Sequence, residues 1–293
     1  MYKVDNAVIM AAGTSSRFAP LSYEKPKALI EVRGEVLIER QIRQLREAGI
    51  SDIYIVTGYK SEDFQYLTEK YGVILRHNAS YKTRNNHSSI YQVRDILKNS
   101  YICSADNYFT VNPFTSEVED SYYSALYADG ETKEWCMKVD EDDYITEVSV
   151  GGENSWYMLG HVFWNEEYSE RFVRILEAEY DNPETIDKLW EDIYLDHIDE
   201  LKMKINRYGE DEIYEFDTLD ELREFDDSYV SDTRSRIIEN LAEKLGVDQS
   251  ELYGFKCIKG DGNEAIGVRF KCRDDEFEYQ YDSAELMKSD GGF

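Results

Sequence analysis

Basic residues and cysteines are both scarce in this sequence of 293 residues. The 33 lysines and arginines are outnumbered by 61 aspartates and glutamates, which gives a formal net charge of -28. Because nucleic-acid surfaces hold phosphates with an excess of Lys and Arg, this balance argues against a nucleic-acid-binding protein. The four cysteines show no C-x-x-C spacing, so the sequence indicates neither a zinc site nor a disulfide framework.

Long apolar runs are missing as well. The sequence has no stretch that could cross a bilayer as a helix and no signal segment at its N-terminus. We therefore expect a protein of the reducing cytoplasm that does not insert into membranes. The length is sufficient for one large α/β domain with an appendage and for a substantial buried core.

The most informative stretch lies near the N-terminus. Residues 7–11 form an unbroken apolar run, as expected for a strand buried on both faces of a parallel sheet. A loop of small residues follows, in which Gly13 lets backbone N–H groups approach a phosphate. Arg17 and Lys27 bring two positive charges to the same region. We interpret this stretch as a polyphosphate-binding loop.

The two commoner phosphate-binding loops do not match it. The sequence has no G-x-x-x-x-G-K-[ST], and the loop has one glycine where the dinucleotide fingerprint has three. The stretch resembles instead the signature of nucleotidyltransferases that join an NTP to a phosphorylated metabolite, A-A-G-x-G-x-R, then a proline, then P-K-x-L. The positions that match are Ala11, Ala12, Gly13, Arg17, Pro20, Pro26, Lys27 and Leu29. Ser15 replaces the second glycine of the signature.

Strands and helices alternate after this loop. The apolar spacing predicts a helix over 36–48, a strand over 53–56, a helix over 61–71 and a strand over 73–75. This rhythm predicts a doubly wound, mostly parallel α/β sheet of the Rossmann-like nucleotidyltransferase type. In such sheets the ligands bind at the carboxyl ends of the strands.

Two aspartates follow predicted strands, Asp106 after residues 101–105 and Asp217 after residues 213–216. Either could simply stabilise the start of a helix. Polyphosphate chemistry, however, needs Mg²⁺, which takes one or two protein carboxylates together with phosphate oxygens. Both aspartates fall where the nucleotidyltransferases have metal ligands, so the resemblance implies that Asp106 and Asp217 share one Mg²⁺.

Further segments sharpen the resemblance: E-V-L-I-E-R-Q-I (35–42), I-V-T-G-Y (55–59), N-N (85–86), E-W (134–135), L-W-E (189–191) and I-Y-E-F-D (213–217). Together they are similar to bacterial CTP:phosphocholine cytidylyltransferases over roughly residues 5 to 228. The resemblance implies transfer of CMP from CTP to phosphocholine with release of pyrophosphate. Arg17 and Lys27 are then the predicted catalytic residues, because they would neutralise the repulsion between two anionic substrates.

The resemblance also implies two sets of contact residues. The predicted nucleotide contacts lie on the signature loop, at strand ends and in the polar loop before a helix predicted over 90–97: Ala11, Ala12, Gly13, Thr14, Ser15, Gly58, Tyr59, Asn86, Ser88 and Ala105. The predicted acceptor contacts combine aromatic rings with carboxylates, as suits an ammonium group: Trp135, Trp190, Glu191 and Glu215. Leu189 replaces an expected aromatic wall, so phosphoethanolamine and 2-aminoethylphosphonate are alternative acceptors.

The predicted domains are a nucleotidyltransferase domain over residues 1–230 and a small α+β module over 231–293. The first divides into a nucleotide half, about 1–118, and an acceptor lobe, about 119–230. The lobe has four predicted strands (122–127, 135–139, 145–150 and 158–164) and two predicted helices (166–180 and 184–201).

The small module has a predicted helix over 236–245, three strands (252–259, 265–272 and 276–281) and a hairpin turn at 260–263. It faintly resembles the start of the N-terminal lobe of choline-kinase-like phosphotransferases. The sequence has no kinase catalytic loop after it, so we expect no kinase activity. We consider homo-oligomerisation as one role for this module.

Two other classes of function stay open at this point. A sugar-1-phosphate nucleotidyltransferase would share the loop and the aspartates, although an aromatic and acidic acceptor lobe suits an anionic sugar poorly. A catalytically silent nucleotide-binding scaffold is the non-enzyme alternative. The joint presence of Arg17, Lys27, Asp106 and Asp217 argues against that alternative.

Overall fold

The computed structural model describes residues 1–260 and 264–289. The chain packs into two compact units. The sheet unit comprises Met1–Gly13 and Leu37–Glu215, and the loop unit comprises Thr14–Val36 and Phe216–Phe293. The predicted domains, 1–230 and 231–293, divide the sequence at one point, whereas each of these units combines separate segments. The predicted domains stay a prediction.

The sheet unit is built on a seven-stranded sheet. Across the sheet the strands lie in the order Lys204–Arg207, Tyr122–Val139, Ile145–Trp164, Ser100–Ser104, Asn6–Ala11, Ile53–Thr57 and Ile74–His77. Four of its six pairings are parallel and two are antiparallel. The apolar strand Asn6–Ala11 pairs on both sides, which explains its burial on both faces and confirms the predicted mostly parallel α/β fold.

The helices of the sheet unit pack against this sheet: Leu37–Glu47, Gln65–Tyr71, His87–Val93, Glu166–Glu179 and Trp190–Asp196. The helix Leu37–Glu47 is confirmed, and Gly49 ends it with φ of +86°. The continuous helix predicted over 184–201 is wrong. A 3-10 turn, Pro183–Thr185, comes first, and a new helix begins at Trp190 because Asp192 accepts the N–H of Leu189 at 2.7 Å.

The four strands predicted for the acceptor lobe are two long strands, Tyr122–Val139 and Ile145–Trp164. They pair antiparallel, with several register shifts along their length. Gly130 and Gly151 have φ of +93° and +78°, a conformation that favours glycine and lets the chain stay extended through these irregularities. Residues 128–134 are mostly polar and lack the apolar alternation of a strand. The sequence therefore predicted two strands, 122–127 and 135–139, where the structure has one.

The core of the sheet unit lies between the sheet and the helices that follow it. The ring centroid of Trp164 lies 4.6 Å from that of Phe172 and 5.2 Å from that of Trp190. All three side chains are buried. Most tryptophans and phenylalanines of this part of the chain therefore stabilise the fold by burying apolar surface.

The loop unit combines the signature loop with the C-terminal part of the chain. Its helices are Leu21–Glu24, Leu219–Phe225, Ser228–Ser231 and Arg236–Leu245. Its antiparallel sheet has the strands Leu252–Lys259, Ala265–Cys272, Asp275–Gln280 and Leu286–Lys288. The predicted helix over 236–245 and the strands over 252–259 and 265–272 are confirmed.

The hairpin turn predicted at 260–263 falls largely on residues 261–263, which lie outside the described residues. Among residues 1–260 and 264–289, none of the helices combines the length and the apolar character that a membrane crossing requires. The four cysteines are free.

Candidate functional site

The signature loop leaves the sheet at the end of the strand Asn6–Ala11. The N–H of Tyr59 donates to the carbonyl of Ala12 at 3.1 Å. A Cβ on Gly58 would lie 2.8 Å from that same carbonyl oxygen and 2.7 Å from Cγ of Tyr81. Glycine is therefore required at position 58 by the close approach of its neighbours, and Gly58 and Tyr59 together position the start of the loop.

Two loop positions differ in what they require of the backbone. Ser15, which replaces a glycine of the signature, has φ of +48°. That is the left-handed region in which glycine is the least strained residue. A Cβ on Gly13 would meet no heavy atom of the described chain within 4 Å, and both Gly13 and Thr14 are exposed.

Three predicted site residues meet within the loop unit. Arg17 Nη1 lies 2.6 Å from Asp217 Oδ2, and Lys27 Nζ lies 3.8 Å from Asp217 Oδ1. Lys27 is buried at 4% exposure, whereas the side chain of Arg17 is 75% exposed. The loop unit therefore places the buried ammonium group of Lys27 and the solvent-exposed guanidinium of Arg17 beside the carboxylate of Asp217.

The position of Asp217 is set by the helix that follows it. Thr218 accepts the N–H of Glu221 at 3.2 Å, and Glu221 Oε2 accepts the N–H of Thr218 at 3.2 Å, so the two residues form a capping box. The same Glu221 oxygen accepts the N–H of Asp217 at 2.7 Å. The carboxylate of Glu221 therefore holds the backbone of Asp217 next to the start of the helix.

Asp106 lies in a tight turn after the strand Ser100–Ser104. Ser104 Oγ donates to its Oδ1 at 2.7 Å. Gln41 Nε2 donates to the carbonyls of Ser104 and Asn107 at 2.8 and 2.9 Å, so one amide joins both ends of the turn. Ala105 donates its N–H to the carbonyl of Met10 at 3.2 Å, which ties the turn to the neighbouring strand.

Gln41 is a positioning residue that the sequence patterns did not single out. It is 1% exposed on the helix Leu37–Glu47, on the side where Ile38, Ile42 and Leu45 are also buried. A polar residue among apolar neighbours at helical spacing was the signal for it. Such a residue is costly to bury unless its polar atoms are bonded.

A second polar cluster surrounds Glu191. Asn86 Nδ2 donates to Glu191 Oε2 at 3.1 Å, and the hydroxyl of Tyr123 donates to Oε1 at 3.3 Å. Asn86 Oδ1 also accepts the N–H of Trp190 at 2.7 Å. Burial raises the pKa of Glu191 to about 7, although both donors act in the opposite direction. Asn86, which was predicted as a nucleotide contact, has its side-chain amide hydrogen-bonded to two residues of the helix Trp190–Asp196.

The other predicted acceptor and nucleotide contacts have varied surroundings. Trp190 is 2% exposed, and its ring stacks on that of Tyr123 at 5.7 Å, so it belongs to the core. Ser88 is also buried, and its hydroxyl donates to the carbonyl of Asn85. The contacts predicted for these two residues gain no support from their surroundings. Trp135 is partly buried on the strand Tyr122–Val139, and Glu215 accepts the amide of Asn107 at 3.1 Å.

The carboxylates of Asp106 and Asp217 suit a hard cation such as Mg²⁺. Among the residues that the structure describes, no three His, Cys, Asp or Glu side chains are grouped so that they could hold a metal ion. Mg²⁺ commonly takes only one or two carboxylates and completes its shell with phosphate and water, so two aspartates fit that mode. The sharing of one ion by Asp106 and Asp217 stays a prediction.

Comparisons with known proteins point to one family. Residues 7–129 match the MobA-like NTP transferase domain. The choline-phosphate cytidylyltransferase of Streptococcus pneumoniae is 36% identical over 221 residues, which span 75% of this chain and 96% of that protein. The 2-aminoethylphosphonate cytidylyltransferase of Lancefieldella rimae is 35% identical over 78% of this chain and 95% of its own.

A solved structure agrees with these sequence relationships. The CTP:phosphocholine cytidylyltransferase from Streptococcus pneumoniae matches with a TM-score of 0.74 and 36% identity. The match covers 78% of this chain and 99% of that one. The fold and the sequence thus point to the same group of nucleotidyltransferases.

Proposed function

Because the chain belongs to the choline-phosphate cytidylyltransferase family of nucleotidyltransferases, we propose that it transfers CMP from CTP to phosphocholine and releases pyrophosphate. The observation that carries this proposal is the cluster of Arg17, Lys27 and Asp217 on the signature loop unit. Two cations at a glycine-containing loop suit a triphosphate. They stand out in a chain with a net charge of -28.

The chemistry needs charge neutralisation more than proton transfer. The acceptor phosphate is already anionic at neutral pH, so no general base has to activate it. One of its oxygens attacks the α-phosphorus of CTP, and the bond from that phosphorus to the bridging oxygen of pyrophosphate breaks. We propose that Arg17 and Lys27 bind phosphate oxygens, orient the triphosphate and stabilise the charge that moves onto pyrophosphate.

We propose Mg²⁺ as the cofactor and Asp106 and Asp217 as the residues that hold it. When bound, the ion would neutralise charge on the triphosphate. The hydrogen bond from Ser104 would orient the Asp106 carboxylate, and the capping box would orient the backbone of Asp217. We expect the enzyme to act in the cytoplasm, where CTP is available.

For the acceptor amine we propose Glu191, Glu215 and Trp135. Carboxylates and an aromatic face both attract a cationic ammonium group. The burial of Trp190 favours a second candidate substrate, because that ring is stacked on Tyr123 and is used for packing. A cage with fewer aromatic walls suits a primary amine, so 2-aminoethylphosphonate and phosphoethanolamine are the alternative acceptors. The relative from Lancefieldella rimae is consistent with the first of these.

A pyrophosphate-release assay tests the proposal. It crosses ATP, CTP, GTP and UTP with phosphocholine, phosphoethanolamine, 2-aminoethylphosphonate and glucose-1-phosphate in the presence of Mg²⁺. We expect release with CTP and an amine-bearing acceptor. Preferential release with glucose-1-phosphate would assign the chain to sugar activation instead, and no release with any pair would favour a nucleotide-binding scaffold.

A further inference from the structure

About a quarter of this chain lies outside the match to the pneumococcal cytidylyltransferase, which is itself matched over 96% of its length. We infer that the C-terminal module, residues 231–293, braces the signature loop and thereby strengthens nucleotide binding. The inference rests on the proposed function for the identity of the nucleotide. Four contacts within the loop unit support it, and they touch the loop at successive points along Thr14–Val36.

The first contact is an aromatic stack. The ring of Tyr23 lies 3.8 Å from that of Tyr281, centroid to centroid, with an angle of 22° between the planes. Tyr23 lies on the short helix Leu21–Glu24, between Arg17 and Lys27 in the sequence. The stack therefore fixes the segment that joins the two proposed catalytic cations.

The second contact involves the next residue. Glu24 Oε1 accepts the N–H of Arg236 at 2.9 Å and that of Ile237 at 3.3 Å. These are the first two residues of the ten-residue helix Arg236–Leu245, whose leading N–H groups have no partner within the helix. A carboxylate there is also favoured by the helix dipole. The loop thus supplies an acceptor that the C-terminal helix needs.

Two more contacts bracket the first pair. The 3-10 turn Ser16–Phe18, which contains Arg17, packs against the strand Leu252–Lys259. Arg234 Nη1 donates to the carbonyl of Glu31 at 3.1 Å, beyond Lys27. Arg17 therefore lies in a segment that the C-terminal module contacts, and Lys27 lies between two such contacts, at Glu24 and Glu31.

Such contacts matter for binding because a loop that is ordered beforehand loses less conformational entropy when the ligand arrives. The effect should fall on CTP, whose phosphates the loop is proposed to bind, and not on the acceptor. This split separates a bracing role from a general contribution to stability. It also gives the module a role other than self-association.

The test measures the Kd of CTP by calorimetry and the KM of phosphocholine by pyrophosphate release, both on the full chain with Mg²⁺. For Tyr281→Ala we expect the Kd of CTP to rise about three- to tenfold, the scale of one lost aromatic pair, and the KM of phosphocholine to stay within about twofold. Tyr281→Phe keeps the stacked ring and should bind CTP like the wild type.

Tyr253→Ala is the matched control. Tyr253 lies on the strand that contacts the loop, but it is 40% exposed and its hydroxyl donates to the carbonyl of Arg273 at 2.9 Å, within the same sheet. This variant should leave the Kd of CTP unchanged. The inference is wrong if Tyr281→Ala binds CTP like the wild type, if both constants rise equally, or if Tyr253→Ala has the same effect.

A second pair of variants decides the matter if Tyr281→Ala does not fold. Glu24→Ala removes the acceptor for the helix N–H groups, whereas Glu24→Gln keeps an oxygen there. We expect weaker CTP binding for the first only, and equal binding by both would overturn the inference. A wild-type protein that binds CTP without transferring CMP would refute only the proposed function. The Kd values would still test whether the C-terminal module strengthens CTP binding.

Discussion

Ser15 and Gly13 show, at the scale of single residues, what the signature loop demands. Ser15 occupies a left-handed conformation that costs a residue with a Cβ roughly 1–2 kcal/mol. Gly13 is different, because a Cβ there would meet no described heavy atom within 4 Å. Protein packing does not explain glycine at position 13, and the approach of a ligand would explain it.

Gly13→Ala should therefore separate binding from folding. We expect the free energy of unfolding to change by no more than about 1 kcal/mol, since no heavy atom of the described residues lies within 4 Å of the added methyl group. The KM for CTP should rise about tenfold or more, because the backbone could no longer approach the phosphates closely. Urea unfolding and pyrophosphate-release kinetics measure the two effects. An unchanged KM would remove the loop from the proposed nucleotide site, and Ser15→Gly should bind CTP at least as well as the wild type.

Asp106→Asn tests the proposed metal ligand. The amide keeps the size of the side chain and can still accept the hydrogen bond from Ser104, so the melting temperature should hardly change. Turnover should be lost, because an amide is a far weaker Mg²⁺ ligand than a carboxylate. Asp142→Asn, at an exposed position, is the control. Wild-type turnover by Asp106→Asn in Mg²⁺ would show that this carboxylate is not needed.

The proposed role of Glu191 predicts that acceptor binding depends on pH. Burial raises the pKa of Glu191 to about 7, so the folded protein favours the neutral form. The stabilising contribution of the Glu191 carboxyl group is therefore fully present when the pH is below its ordinary pKa of 4.5. It is lost as the pH rises through the raised pKa of about 7. An ammonium group, in contrast, is attracted by the ionised form, which becomes the major form above pH 7.

We accordingly expect the KM for the acceptor to fall about tenfold between pH 6 and pH 8 in the wild type. The acceptor phosphate titrates near pH 6 by itself, so the comparison is made with Glu191→Gln, which shares that titration. The variant should lack the part of the pH dependence that comes from the carboxyl group. Identical pH profiles for the two proteins would exclude Glu191 from acceptor binding.

At the scale of single elements, the helix Leu219–Phe225 is tied to the site through its cap. Thr218→Ala removes the acceptor for the N–H of Glu221, which should lower the free energy of unfolding by about 1 kcal/mol. Thr218→Ser keeps the hydroxyl and should be close to the wild type. Urea unfolding of the three proteins measures the difference. Equal stability of Thr218→Ala and the wild type would show that the capping box adds nothing.

Elements with a strong local pattern could be predicted from the sequence. The strand Asn6–Ala11 and the helices Leu37–Glu47 and Arg236–Leu245 have clear apolar spacing and, for the helices, a glycine at the end. The long strands Tyr122–Val139 and Ile145–Trp164 could not be predicted as such. Their polar middle parts are extended because of cross-strand pairing, which is a long-range effect that local pattern does not contain.

The candidate site divides in the same way. The residue types of Arg17, Lys27 and Asp217 indicated charge chemistry, and the structure brings these three together. The surroundings of Trp190 could not be predicted from its residue type, since an aromatic residue suits a core and a cation site equally well. Only packing shows that Trp190 stacks on Tyr123, and that the hydroxyl of Tyr123 reaches Glu191.

At the scale of the whole molecule, residues far apart in the sequence build the loop unit together. Tyr23 and Tyr281 are stacked although more than 250 positions separate them, and Glu24 caps a helix that begins at Arg236. Contacts of this kind tie the proposed nucleotide loop to the C-terminal part of the chain. A substitution in the C-terminal module should then change how tightly the loop binds CTP.

The proposed CMP transfer is tested most directly by mass spectrometry of the products formed by the wild-type protein from CTP, phosphocholine and Mg²⁺. We predict CDP-choline and pyrophosphate in equal amounts. If 2-aminoethylphosphonate is the better acceptor, we predict the anhydride of CMP with that phosphonate, again in an amount equal to the pyrophosphate. Pyrophosphate without a cytidylylated acceptor, or no reaction of CTP with any of the amine-bearing acceptors, would contradict the proposed function.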